Sequence, residues 1–212
     1  MQIPVGELTF EVTVVGAEEG RPVLLLHGFP ETGRSWDAVR ESLVRSGHRV
    51  IVPDQRGYSP GARPTEVAAF GNDADQQERS AYIRLFWIQG KAERVLLEDD
   101  AKRLRTMLAG LSEDAVDHYV SVLSEPGALR ATLNWYRAMS RQDGTDLPPI
   151  TVPTTYVWST KDMAIGQAAA QKCGEFVDAA YRFVILDGVS HWIPEHAADQ
   201  LTAAILDQMA ST

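Results

Sequence analysis

Residues 23–54 read VLLLHGFPETGRSWDAVRESLVRSGHRVIVPD, and this stretch decides the fold class. Val23 to Leu26 is a continuous apolar run of strand length, the pattern of a strand buried on both faces. From Ser35 to Ser46 the apolar residues Trp36, Val39, Leu43 and Val44 recur at helical spacing, and Gly47 ends the segment. Val50-Ile51-Val52 is a second apolar strand, running into the loop Asp54-Gln55-Arg56-Gly57-Tyr58. Strand, helix and strand at this spacing predict a right-handed parallel crossover, so the class is α/β.

Upstream, Leu8–Phe10 and Val12–Val15 are apolar or β-branched runs punctuated by Gly6, Gly16 and Gly20, which predicts a hairpin opening the sheet. Downstream, residues 58–78 have no clear period and crowd Pro60, Gly61, Pro64, Gly71, Asn72, Asp73 and Asp75, the one linker-like segment of the chain. Residues 78–139 are helical in pattern, divided by Gly90, Gly110 and Pro126-Gly127 into about four helices, and Pro148-Pro149 closes the block. The last third alternates again: a strand over 154–158, a helix over 166–177, a strand over 181–186, and a final helix opened by Pro194. The organisation is therefore a discontinuous α/β core, residues 1–74 and 150–212, around a helical insert at 75–149.

Composition narrows the function classes. The chain has 212 residues, 44% of them hydrophobic, and a formal net charge of −9. That acidic balance argues against nucleic acid and anionic membranes as partners, because both reward a basic surface. The apolar runs are strand-sized, too short to cross a bilayer. The first ten residues, MQIPVGELTF, contain no basic segment followed by an apolar run, so the expected compartment is the cytoplasm. Cys173 stands alone, which excludes an internal disulfide and a multi-cysteine zinc site.

Three motifs follow apolar strands, where open α/β sheets place their ligands. His27-Gly28-Phe29-Pro30 follows the first, and the Phe29 amide there can face a developing oxyanion. Trp158-Ser159-Thr160-Lys161-Asp162 leaves Asp162 at a second strand end, and Asp187-Gly188-Val189-Ser190-His191 brings His191 to a third. Asp162 and His191 are 29 residues apart, about one βα unit. Both can reach one sheet edge, a carboxylate holding a histidine base. His48, His118 and His196 read as structural or solvated, and no histidine spacing fits a metal. Gly57-Tyr58-Ser59-Pro60-Gly61 matches the pattern of a serine nucleophile elbow. The elbow needs the amide of the residue after the nucleophile, and Pro60 has none, so Ser59 is not taken as a nucleophile.

LLLHGFPETGRSWDAV, VIVPDQRGYSPGARP, RATLNWYRAM, TYVWSTKD and FVILDGVSHWIPE together resemble the α/β-hydrolase family, in its epoxide hydrolase branch. The resemblance implies a parallel sheet flanked by helices, with the insert as a cap over the site. It implies that Phe29 supplies an oxyanion amide, Asp162 is the acid, His191 activates water, and Tyr136 is one of two cap tyrosines binding the epoxide oxygen. It also implies a small apolar substrate and no cofactor. The second tyrosine position, in IRLFW, matches Phe86, which has no hydroxyl, with Tyr82 one turn earlier.

Where the family has the strand bearing its nucleophilic aspartate, this chain passes from Arg63 almost directly to the insert. The deficit is about two βα units, roughly 60–70 residues. The expected fold is thus an α/β-hydrolase-like sheet shortened by about two central strands. Either the HGFP strand pairs directly with the strand over 154–158, giving about six strands in one sheet, or a gap remains. The function expected is an epoxide hydrolase type of site, impaired or inactive for want of the nucleophile. The alternatives are a non-catalytic protein binding a small ligand or a partner through Phe86, Trp87, Trp135, Tyr136 and Trp192, and a shortened chain that does not fold cooperatively. Homo-oligomerisation stays open.

Overall fold

In the computed structural model, residues 1–63, 81–138 and 148–211 are described below. Strand β1 (Gln2–Val5) pairs antiparallel with β2 (Leu8–Val15) through a turn in which Gly6 has φ +58°. The hairpin therefore forms between residues 2–5 and 8–15, and the two short runs expected within 8–15 are one strand. The long β2 spans both because Glu11 pairs with Gln2 while Val12–Val15 pair with β4 (Arg49–Pro53). β3 (Pro22–Leu24) joins β4 in parallel, with helix α1 (Asp37–Arg45) as the crossover. This gives a four-stranded sheet ordered β1-β2-β4-β3.

β5 (Thr154–Lys161) and β6 (Tyr181–Ser190) pair in parallel as a separate two-stranded sheet. Between them run α6 (Gln167–Lys172) and a 3-10 turn over Cys173–Phe176, where the sequence predicts one helix. After β6 come α7 (Ile193–His196) and α8 (Ala198–Ala210), separated at Ala197, so the predicted last helix is two.

Among the described residues no ladder joins β3 to β5. The six strands form sheets of four and two, and of the two outcomes the sequence leaves open, the gap is the one observed. β3 and β5 flank a cleft of about 430 Å³ floored by α8 residues, among them Leu201, Ala204 and Ile205. The gap corrects one expectation. Val23–Leu26 is not buried on both faces: Leu25 is inside, while Leu24 is 58% and Leu26 51% exposed. A strand alternates its side chains, and among the described residues only the face toward α1 and α8 has a layer to pack against. The other face and the outer edge keep the composition of a central strand without the neighbours of one.

The helical insert supplies α2 (Ala81–Phe86), α3 (Lys91–Met107), α4 (Glu113–Ser124) and α5 (Ala128–Arg137). Gly90 and Gly127 stand immediately before α3 and α5, and the Ser112 hydroxyl caps α4 by accepting the Ala115 amide. α3 is interrupted at Glu98–Ala101, where the backbone leaves helical values. The expected 74/75 boundary and the linker residues Pro64 to Asp75 lie outside the described residues.

Two apolar cores result. One lies within the sheet layer, with Val39, Leu43, Val50 and Val52 at its centre. The other is formed by Phe86, Leu96, Leu104, Tyr119, Leu123 and Leu133 of the insert. Tyr58 and Trp192 from the sheet-end loops are buried in this second core, and Phe29 packs against it. That contact brings the loops of Phe29, Tyr58 and His191 under the insert.

Candidate active site

β5 ends in a turn built by Asp162. Its Oδ1 accepts the amides of Ala164 at 2.7 Å and Ile165 at 2.8 Å, closing an Asx-type turn. The same oxygen faces Nδ1 of His191 at 3.0 Å. β6 carries His191 just past its end, and the Ser159 hydroxyl, donating to the Ser190 carbonyl at 2.7 Å, ties the two strand ends together. Burial alone would raise the Asp162 carboxyl, but the bond to His191 and the two amides outweigh it and hold its pKa below the ordinary value. In the neutral tautomer of His191 that donates Nδ1–H to this carboxylate, Nε2 is the accepting nitrogen.

His191 opens onto a cavity of about 130 Å³, walled by Phe29, Pro30, Tyr82, Met107, Tyr136, Met163, Ala164 and Trp192. The lining is apolar except for the imidazole and two tyrosines. This volume is below the roughly 300–1,000 Å³ of drug-sized sites, which restricts the occupant to a small molecule. Tyr136, on α5, is held edge-on by Phe29 at 5.3 Å and Phe86 at 5.0 Å between ring centroids. Burial, and then the neighbouring Tyr82, push the Tyr136 hydroxyl up. Tyr82 is raised by burial and by the charge of Asp162. Both phenols are therefore neutral hydrogen-bond donors.

The structure corrects the sequence match at IRLFW. Phe86 is fully buried behind Tyr136, and Tyr82 faces the cavity with it, their ring centroids 6.5 Å apart. Residues four apart lie on one helical face, so Tyr82 and Phe86 were both candidates for the position. The polar one reaches the cavity, and the apolar one fills the core. Met163 and Trp192 also line the site. Their adjacency to Asp162 and His191 was the signal available for them in the sequence.

Phe29 stands at the mouth of the loop after β3, and the Phe29–Pro30 bond is cis. Its amide has no acceptor among the described residues. His27 is structural. Its Nδ1 donates to the Gly28 carbonyl at 2.9 Å and its Nε2 accepts the Gln55 amide at 3.0 Å, while burial lowers its pKa and keeps the ring neutral. Ser59 is fully buried, donating to the Asp54 carbonyl at 2.5 Å and accepting the Glu11 amide at 3.0 Å. A hydroxyl engaged on both sides and shut from the cavity is a structural one. His48, His118 and His196 contact the Leu43 carbonyl, Thr32 and Ser190, away from the cavity wall. Among the described residues no group of histidines, cysteines and carboxylates has an arrangement able to hold a metal, and no helix is long and apolar enough to cross a membrane.

A family model of the alpha/beta hydrolase fold matches residues 21–84. AB hydrolase superfamily protein YfhM of Bacillus subtilis is 24% identical over 272 aligned positions, spanning 95% of this chain and 94% of its own. Epoxide hydrolase A of Mycobacterium tuberculosis is 25% identical over 297 positions, spanning 92% of each chain. Because the chain has only 212 residues, at least 60 of the 272 positions shared with YfhM have no residue of this chain opposite them. Epoxide hydrolase A of Mycobacterium thermoresistibile superposes with a TM-score of 0.82 at 20% identity, covering 99% of this chain and 97% of the other. The epoxide hydrolase CorEH does so with 0.83 at 18%, covering 100% and 98%.

Proposed function

We propose that this chain, whose α/β-hydrolase fold is shared with epoxide hydrolases, is an epoxide hydrolase-type protein that keeps the water-activating half of the site and lacks the nucleophilic half. A small apolar epoxide sits in the cavity with its oxygen accepting hydrogen bonds from Tyr82 and Tyr136. His191, oriented by Asp162, takes a proton from water. The water oxygen bonds to an epoxide carbon as the ring C–O bond breaks, and the alkoxide takes a proton from a tyrosine hydroxyl, which the proton held on His191 replaces, to give a diol. The Phe29 amide is a further donor at the rim. No covalent ester forms, so the whole barrier falls on one step. The rate is therefore far below that of a site with a nucleophile, as when a catalytic nucleophile is removed.

The observation that carries this reading is the cavity wall. It brings His191 and two phenols together, and among the described residues lining it there is no aspartate, glutamate, serine or cysteine. The test is incubation with phenyl glycidyl ether, following diol by chromatography and intact protein mass during turnover. Slow diol formation, lost in His191→Ala and without a covalent adduct, is expected. An adduct of substrate mass, or turnover unchanged in His191→Ala, sinks it. The same lack of a nucleophile favours a second reading, a pocket that binds without turnover. Saturable binding with no diol above the uncatalysed rate would select that one.

A further inference from the structure

A second cluster of titratable groups lies beside the candidate active site and takes no part in its chemistry. Glu31, directly after the HGFP motif, is only 8% exposed. Its amide donates to the Gly28 carbonyl at 3.2 Å, so its position is tied to the loop that carries Phe29. Glu195 lies four residues after His191, on the short helix α7, which packs against the 3-10 turn over Gly33–Trp36 that follows the same loop. The two carboxyl groups are hydrogen-bonding neighbours. Glu31 Oε1 and Glu195 Oε2 are both buried, and neither finds a donor among the described residues. Two ionised carboxylates so placed would be two unsatisfied acceptors repelling each other in an apolar setting. One proton between them satisfies both.

We propose that Glu31 and Glu195 share a single proton, and that this carboxyl–carboxylate bond is a positioning clamp holding the Phe29 loop against the His191 loop. The proton resides on Glu31. The Tyr119 hydroxyl, on α4, donates to Glu195 Oε1 at 3.1 Å, and a donor favours the charged form. Among the described residues Glu31 Oε1 has no such donor. Tyr58, buried from the loop after β4, faces Glu31, and Arg34, which acts on Tyr119, has its guanidinium engaged with Asp114. Burial first, and then the charge and hydrogen bond of Glu195, push the Glu31 carboxyl up to about 9. The clamp is thus intact at neutral pH. It does not depend on which ligand the cavity takes, nor on whether the site turns anything over.

The test is urea unfolding of the full chain and of Glu31→Gln across the pH range, the amide supplying the same hydrogen bond without a titratable proton. Between the ordinary carboxyl value of 4.5 and about 9, the folded wild type holds one proton more than the unfolded chain. Its unfolding constant should therefore rise about tenfold per pH unit relative to that of Glu31→Gln, and run parallel outside that window. Parallel curves throughout overturn the shared proton. The positioning role is read separately, from the imidazole resonances of His191. They should be unchanged in Glu31→Gln and displaced in Glu31→Ala. A displacement in Glu31→Gln, or none in a folded Glu31→Ala, overturns the clamp.

Discussion

Asp162 holds His191 with an oxygen that is already committed to two backbone amides: a single Oδ1 accepts from Ala164, Ile165 and the imidazole. The turn after β5 and the base on the β6 loop are therefore one unit, and displacing the carboxylate disturbs both. Asp162→Asn removes the charge from three contacts. It should cost about 1–3 kcal/mol of stability at neutral pH. The carboxyl is held below its ordinary value of 3.8, so its stabilisation is complete above that value and is lost as pH falls through the lowered one. Urea titrations of wild type and Asp162→Asn should accordingly converge in strong acid. A difference that persists there would show that the turn, not the charge, is what matters.

The two cavity phenols allow a different separation. Tyr82→Phe and Tyr136→Phe remove only a hydroxyl and leave the aromatic cluster around Phe29 and Phe86 in place. Each should weaken binding of a glycidyl ether by about five- to tenfold, the worth of one hydrogen bond, with little change in unfolding midpoint. Phe86→Tyr should not compensate. Its hydroxyl would enter a fully buried position, at a cost of about 1–3 kcal/mol unless it finds a partner. Calorimetric titration of the single and double variants decides whether both phenols contact the ligand.

Ser59 tests the rejected nucleophile. If its role is the pair of bonds to Asp54 and Glu11, Ser59→Ala strands a buried amide and should destabilise the chain by about 1–3 kcal/mol. Any diol formation should be untouched at temperatures where the variant is folded. Loss of turnover in a folded Ser59→Ala would restore the elbow reading.

How much of this was legible in the sequence depends on which forces decide each part. The βαβ unit could be read because apolar spacing in 23–52 is local, and Gly90 and Gly127 marked helix starts for the same reason. Asp162 and His191 could be paired because both follow strands. Phe86 was matched ahead of Tyr82 by its place in IRLFW, but which of the two reaches the cavity rests on how α2 rotates against α5. The Glu31–Glu195 contact joins loops 164 residues apart in the chain and has no periodic signature. The exposure of Leu24 and Leu26 was unreadable for another reason. A residue run reports the neighbours it suits, and among the described residues those neighbours are absent.

That exposed pair sets the last prediction. β3 and the residues that follow it present Leu24 and Leu26 to solvent, and among the described residues no strand pairs with the β3 edge at the cleft beside β5. Apolar unpaired edges promote association, so the chain should self-associate with increasing concentration. Leu24→Lys with Leu26→Lys should suppress this, because charge on an edge opposes pairing. As both side chains are already about half exposed, the stability change should stay near ~0.5 kcal/mol per site. Leu25→Ala, one residue away and only 5% exposed, should instead cost about 2–5 kcal/mol and leave the association in place wherever the variant folds. Sedimentation velocity over a hundredfold concentration range distinguishes the two. Association unaffected by the paired lysines would locate the adhesive surface elsewhere and show that the open edge of β3 is already protected.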